Sequence, residues 1–296
     1  MNDTEVCRRR HRVRSSFRFC GWFGASLLAL SLSVGCRTAE TSDLPLVMVS
    51  VPPQVQMVEA IAGPLVRVEI MVPPGANPTT YEPTVGQMRS LGEALLYVEI
   101  GHPAFAFEKA WLDGMLAENP EILVVDASGG SGADGEDPHL WLDPEAAAEM
   151  VRRTVAGLKS VLPDHGRLFE ENGGALLLRL EEVDLRIRAI FEGTSGGTFA
   201  VYHDAWRRFA RAYGLVQLAI EDEGKEPSAG DIAEKIASMR EMGIKMVFGQ
   251  PQFSMRSVNT IAAEVGAEVG VLDPLAPDWL ENLERSARLI AETLNR

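Results

Sequence analysis

The feature that most constrains the fold is an alternation, from Leu46 onward, of short β-branched runs with segments that carry apolar residues at helical spacing. The short runs are continuously apolar, which is typical of parallel strands covered by helices on both faces. The predicted strands are residues 46–51, 66–72, 95–100, 122–126, 198–202, 215–220, 246–248 and 269–272. This pattern predicts an α/β fold with two lobes that each contain a parallel-type sheet.

The segments between the strands predict helices, and two of these helices are longer than the rest. The predicted helices are residues 54–62, 85–91, 105–116, 144–162, 164–191, 206–213, 232–242 and 258–265. A long helix makes a stiff connection between lobes, although Gly173 and Gly174 are expected to weaken this one early on. We therefore predict an N-terminal lobe (46–163), a linking helix (164–192) and a C-terminal lobe (193–296).

The first 36 residues predict export rather than a folded domain. Six arginines fall within the first 18 residues, and an apolar run, 19–34, ends on small residues before Cys36. This arrangement is typical of a secretory signal peptide, predicted here as residues 1–35. The run ending at Cys36 resembles a bacterial lipobox, although Ser33 departs from the usual apolar residue, so Cys36 is the predicted lipidation site and residues 36–45 the tether.

Cysteine usage and charge exclude several function classes. Cys7 and Cys20 lie in the segment predicted to be removed, so neither a disulfide nor a thiolate metal site is expected. The chain has 28 basic and 42 acidic residues, a net charge of −14, which argues against a nucleic-acid-binding surface. Removing residues 1–35 takes away six arginines and two acids, a net +4, and leaves −18. Such an acidic surface is compatible with a cationic ligand.

Polar residues that directly follow the predicted strands predict a metal site. Ligands of open α/β sheets bind beyond the carboxyl ends of the strands. His139 and His203 occupy such positions in opposite lobes, and Asp273 would add a carboxylate oxygen. Two imidazoles and a carboxylate suit zinc or manganese and argue against copper(I) or an iron–sulfur cluster. A single histidine in such a loop would more often be structural.

Several motifs resemble the zinc and manganese solute-binding proteins of bacterial ABC importers, the periplasmic cluster A-I family. The similar segments are residues 73–84, 137–144, 203–205, 250–254 and 271–275. The resemblance implies two βα lobes joined by a rigid helix, and a metal bound between them. It implies delivery of the metal to a membrane permease. We expect binding without catalysis, by a monomer held at the membrane through lipid on Cys36. The family's second, third and fourth ligand positions match His139, His203 and Asp273.

The sequence departs from this family at the first ligand position. Family members commonly carry histidine directly after the Asn-Pro step, where this chain has Thr79. Glu82 is the nearest acid and His102, after the third strand, is another candidate, although a turn-capping role suits His102 slightly better. Water could also fill the position. Family members that handle zinc often carry a histidine-rich loop before the Asp-Pro-His motif, and the glycine-rich loop at 128–137 contains no histidine. We predict zinc as the metal, with manganese as the alternative.

Two other functions fit parts of the same pattern. A metal-dependent hydrolase could use the same two histidines and aspartate, with Glu82 as its general base. The sequence contains no His-Glu-x-x-His motif, nucleophile elbow or phosphate loop that would support it. The second alternative, suggested by Thr79, is a pair of lobes that binds a ligand other than a metal. Glu226, in an acidic turn, and His165, beside the long helix, are expected to lie at the surface.

Overall fold

The computed structural model describes residues 44–117, 119–130, 137–221 and 228–294, which form two parallel sheets. The first sheet has the order β2-β1-β3-β4 and the second β6-β5-β7-β8, so both lobes share one topology. Their strands are β1 (Leu46–Val49), β2 (Arg67–Ile70), β3 (Leu96–Glu99), β4 (Leu123–Asp126), β5 (Thr198–Val201), β6 (Val216–Ala219), β7 (Met246–Gly249) and β8 (Glu268–Val271). The predicted fold class, two parallel-sheet α/β lobes with a long helix between them, is confirmed.

The helices lie close to their predicted positions, with one addition at the C-terminus. They are α1 (Pro52–Ala62), α2 (Val85–Glu93), α3 (Ala106–Leu116), α4 (Pro144–Val161), α5 (Gly166–Ile190), α6 (Arg207–Ala212), α7 (Ala229–Glu241), α8 (Met255–Val265) and α9 (Trp279–Leu294). The side chain of the residue before a helix can cap its first turn. At the start of α4, Asp143 accepts from the backbone N–H groups of Glu145 and Ala146.

The long helix α5 begins later than predicted, because Pro163–His165 form a separate 3-10 turn. Its 25 residues span about 37 Å, and the helix is continuous through Gly173 and Gly174. A Cβ atom at Gly173 would overlap Val155 Cγ2 of α4, so glycine here allows the two helices to pack closely. Nothing lies within 4 Å of a Cβ placed at Gly174.

The C-terminal helix α9 is absent from the sequence-based prediction, which ends at residue 272. Its buried apolar residues nevertheless recur at helical spacing: Trp279, Leu280, Leu283, Ala287, Ile290 and Ala291. The helix packs against α5, β5 and α1. The backbone N–H of Leu280 donates to Gln56 Oε1 at 3.1 Å, and Arg186 of α5 pairs with Glu284 at 2.8 Å. The helix α9 therefore packs against both halves of the chain.

The two lobes meet at a buried contact between tryptophans. Trp141, which follows the first sheet, donates from Nε1 to the carbonyl of Pro274 at 2.6 Å. Trp279 donates from Nε1 to the carbonyl of Trp141 at 2.7 Å, and both indoles are almost completely buried. One apolar core extends from the first sheet through this contact to α9. Such dry packing favours small relative movements of the lobes over wide hinge opening.

Among the described residues, no helix is both long and apolar enough to cross a membrane. The predicted signal peptide, Cys36 and most of the tether lie outside the described residues.

Candidate metal centre

A cleft of about 610 Å³ lies where polar loops follow the strands of both sheets. Residues from both halves of the chain line it, among them Asn77, Pro78, Thr79, Phe105, Lys109, His139, Trp141, His203, Asp204, Arg207, Gln252, Phe253 and Leu275. The carboxyl ends of parallel strands meet at the same edge of a sheet, which is why residues distant in sequence converge here.

His139 is fixed by a carboxylate two residues earlier in the chain. Asp137 Oδ1 accepts from the backbone N–H of His139 at 2.9 Å and from its ring Nδ1 at 2.7 Å. Arg208, in the other half of the chain, donates from its backbone N–H to Asp137 Oδ2 at 3.1 Å and from Nε to the Asp137 carbonyl at 2.6 Å. Asp137 therefore sets the ring orientation of His139 and joins the two lobes.

The local charges keep Asp137 ionised although it is buried. Burial by itself raises its pKa, but His139 and Arg208 together outweigh that effect, so the pKa lies below the usual value of 3.8. A carboxylate accepts but cannot donate, so the shared hydrogen is on His139 Nδ1. In a neutral imidazole, Nε2 is then the atom with a lone pair available for a metal.

His203 has a corresponding partner in the second lobe. Its Nδ1 lies 2.6 Å from Glu221 Oε2, and the Glu221 side chain is only 2% exposed. Gln250 holds the backbone of His203 in both directions, accepting from its N–H and donating to its carbonyl at 3.0 Å each. The Phe253 ring lies 4.5 Å from the imidazole, centroid to centroid, at an interplanar angle of 30°.

The two imidazoles lie next to each other across the cleft. The ring centroids of His139 and His203 are 5.4 Å apart, and the rings are inclined at 75°. Each Nδ1 is engaged by a buried carboxylate, so in both side chains Nε2 is the ring nitrogen whose lone pair remains available. A carboxylate bonded to the outer nitrogen of an imidazole is the arrangement that orients histidine ligands in zinc sites.

The third predicted ligand, Asp273, is engaged by its own loop. Its Oδ1 accepts from Gln252 Nε2 at 2.7 Å and from the backbone N–H of Leu275 at 2.9 Å. Asn282 of α9 donates to the carbonyl of Asp273 at 2.8 Å. Across the described ranges, no three side chains from His, Cys, Asp and Glu lie close enough together to hold a metal ion. The structure thus places the two histidines together, with Asp273 outside that pair.

The candidates for the remaining position are dispersed. Thr79 lines the cleft, but its backbone N–H and its hydroxyl both donate to Asn77 Oδ1, at 2.9 and 2.8 Å. Glu82 is exposed and does not line the cleft. His102 is only 3% exposed and accepts at Nδ1 from the N–H of Ala104 at 3.1 Å, so it caps the turn after β3.

Comparison with known proteins places this chain in a family. The model of the periplasmic zinc-uptake complex component A, ZnuA, matches residues 47–293. The chain belongs to the ZnuA family. The crystal structure of a ZnuA superposes with a TM-score of 0.80, at 39% identity, and covers 85% of this chain and 100% of that chain. The predicted resemblance to zinc and manganese solute-binding proteins is confirmed.

Two curated relatives are similar over most of this chain. The zinc-binding lipoprotein AdcA of Streptococcus pneumoniae is 27% identical over 276 residues, covering 85% of this chain and 54% of AdcA. The high-affinity zinc uptake system protein ZnuA of Bacillus subtilis is 25% identical over 227 residues, covering 70% of this chain and 71% of that protein. The chain therefore spans about half the length of AdcA.

Within this ZnuA-family cleft, sequence reasoning missed the partners of the histidines. Asp137 was recognisable, because it precedes His139 by two residues in an Asp-Pro-His step. Glu221 follows β6, which neighbours β5 in the sheet, so the strand-end rule also applies to it. Gln250 directly follows β7, so the same rule applies to it, whereas Arg208 carried no comparable signal. Most of the glycine-rich loop, residues 131–136, and Glu226 lie outside the described residues.

Proposed function

We propose that the chain is the extracytoplasmic substrate-binding component of an ABC importer. In this role it binds a divalent transition metal, zinc in preference to manganese, between its lobes and delivers the ion to the permease. The observation that carries the proposal is the pair His139 and His203, which come from opposite lobes with each Nδ1 on a buried carboxylate. We propose that residues 46–163 and 193–296 form the two lobes and that residues 164–192 form the helix that links them.

In this function the histidines bind the cation through Nε2, and Asp273 adds a carboxylate oxygen. Asp137 and Glu221 accept the opposite ring hydrogens, which makes both imidazoles more basic and keeps them oriented. Their negative charges also offset part of the charge of the bound cation. Because the ligands come from both lobes, a bound ion joins the lobes, while the tryptophan contact limits how far they move.

The relatives support zinc as the cargo. AdcA is named a zinc-binding lipoprotein, and the Bacillus subtilis protein belongs to a high-affinity zinc uptake system. Neither these relatives nor the family gives support to a metal-dependent hydrolase. We therefore propose binding and delivery without turnover.

We further propose that the mature protein begins at a lipidated Cys36, after removal of residues 1–35, and acts as a monomer at the outer face of a membrane. An anchor with several acyl chains holds a protein stably at a bilayer. Incorporation of labelled palmitate tests this: label in the wild type and none in Cys36→Ser is expected. Label retained by Cys36→Ser would contradict the proposal.

Competitive titration against a chelator tests the metal site, using mature protein with zinc and then with manganese. His139→Ala and His203→Ala should each weaken zinc binding by more than about 100-fold, because even loss of a ligand's outer partner costs 10–100-fold. Asp273→Ala should weaken it less. His165→Ala is the matched control, since His165 is exposed beside α5. Unchanged zinc affinity in both cleft variants would refute this site.

Thr79→His asks whether the departure from the family limits affinity. Thr79 already lines the cleft, so an imidazole there is expected to tighten zinc binding. Affinity equal to that of the wild type would show that another group completes the coordination shell.

A further inference from the structure

Gln252 places a largely buried side-chain amide in the wall of the cleft. It lies in the loop after β7, lines the cleft, and is only 9% exposed. Its Nε2 donates to Asp273 Oδ1 at 2.7 Å. This bond fixes the orientation of the amide, because only the nitrogen of an amide can donate to a carboxylate.

The amide oxygen of Gln252 is therefore the atom without a partner. Oε1 is buried and has no hydrogen-bond partner among the described residues. Leaving a buried acceptor unpaired costs about 1–3 kcal/mol, so buried acceptors in native proteins nearly always have a partner. Within a cleft that accepts a cation, a metal ion is a partner that an amide oxygen can bind.

The neighbours of Gln252 place it beside two of the proposed ligands. The next residue, Phe253, stacks on the His203 ring at 4.5 Å, and the Gln252 side chain itself reaches Asp273. The other candidates for the open position are less suitable. The Thr79 hydroxyl donates to Asn77, and Glu82 is exposed outside the cleft.

We infer that Gln252 Oε1 is an oxygen ligand of the metal bound by His139 and His203. It adds an oxygen to a coordination shell in which Thr79 supplies no imidazole. This inference rests on the proposed function. It implies a mixed set of imidazole nitrogens with amide and carboxylate oxygens. Manganese is bound better by oxygen ligands than by imidazole nitrogens. The Gln252 oxygen should therefore reduce the difference between the affinities for zinc and for manganese.

The test is competitive titration of zinc and manganese against a chelator in mature wild type, Gln252→Leu and Gln252→Glu. Gln252→Leu keeps similar volume but removes the oxygen, so manganese affinity should fall at least about tenfold and zinc affinity less. Gln252→Glu retains an oxygen but loses the donor to Asp273 Oδ1, so it should bind both metals more tightly than Gln252→Leu. Gln56→Leu is the matched control, because that amide bonds Leu280 outside the cleft, and its affinities should not change.

A second arm separates direct ligation from positioning of Asp273. In an Asp273→Asn background, Gln252→Leu should still weaken manganese binding. In the cobalt-loaded protein, Gln252→Leu should also alter the visible d–d absorption, which reports coordination. Loss of the Gln252 effect in the Asp273→Asn background, or an unaltered cobalt spectrum together with wild-type affinities, would overturn the inference.

The same titrations distinguish this inference from the proposed function. If His139→Ala and His203→Ala abolish binding while Gln252→Leu binds like the wild type, only the ligand role of Gln252 fails. If the two histidine variants bind like the wild type, the proposed metal site fails as a whole.

Discussion

Replacing Asp137 by asparagine should weaken metal binding without removing a ligand. Asp137 accepts three hydrogen bonds: two from His139, at 2.7 and 2.9 Å, and one from the N–H of Arg208 at 3.1 Å. Asparagine can still accept from His139 through its oxygen, but the bond is no longer charge-assisted and has about half the strength. In other metal sites, loss of such a partner lowers affinity 10–100-fold, which corresponds to about 1.4–2.7 kcal/mol.

The same substitution should also cost stability, for a different reason. The asparagine NH2 group would face the N–H of Arg208, leaving two buried donors against each other at about 1–3 kcal/mol. The folded-state pKa of Asp137 is lowered, so the stability it contributes is present above the unfolded pKa and lost as pH falls through the folded value. The asparagine variant has no carboxylate to protonate, so its free energy of unfolding should not show this decrease at low pH. The difference in free energy of unfolding between the variant and the wild type should therefore become smaller in acid.

Zinc titration and urea unfolding, each with and without metal, measure the two effects separately. Asp143→Asn is the matched control: it removes the same charge from the same loop, but Asp143 caps α4, whereas Asp137 is hydrogen-bonded to the His139 ring. Asparagine caps a helix as well as aspartate, so affinity and stability should both be retained. An Asp137→Asn protein that binds zinc as tightly as the wild type would refute the orienting role of this carboxylate.

Three further predictions concern the scaffold. Gly173→Ala should lower the free energy of unfolding by about 1–3 kcal/mol because of overlap with α4, whereas Gly174→Ala should raise it by up to ~1 kcal/mol; similar urea midpoints would contradict the packing. Trp141→Phe, which leaves a lobe-bridging carbonyl unpaired, should cost about 1–3 kcal/mol in the same assay, and an unchanged midpoint would argue against that bridge. Burial raises the pKa of Glu108 from 4.5 to about 7, so wild-type stability should decline as pH rises through this interval; Glu108→Gln should remove the decline, and a parallel profile in both proteins would contradict the shift.

Secondary structure was largely predictable because its signals are local. The strands β1 to β8 lie within a few residues of the apolar runs, and the stiff connection corresponds to α5. Gly173 illustrates the limit of local reasoning: its low helix propensity predicts weakness, whereas contact with Val155 makes a small residue necessary. The helix α9 was not predicted, although its apolar residues recur at helical spacing, because it follows the last strand and no further strand comes after it to continue the alternation.

The candidate site was predictable only in part. His139 and His203 were identified because they follow strands, and that position is encoded locally. Their carboxylate partners were not identified as such, since the Glu221 contact joins residues 18 apart in sequence. Glu82 was named because it lies close to Thr79 along the chain, yet its side chain is exposed outside the cleft.

The sequence by itself determined the order of the elements up to residue 272, the two lobes and which polar residues follow their strands, because each depends on patterns a few residues long. Only the tertiary structure decided which ring nitrogens face the cleft, that Asp273 bonds to Gln252, and that the lobes meet at Trp141. These depend on contacts such as Arg208 with Asp137, 71 residues apart, and Trp141 with Pro274, 133 apart. No local pattern specifies such pairings, because they form only when both sheets are packed against their helices.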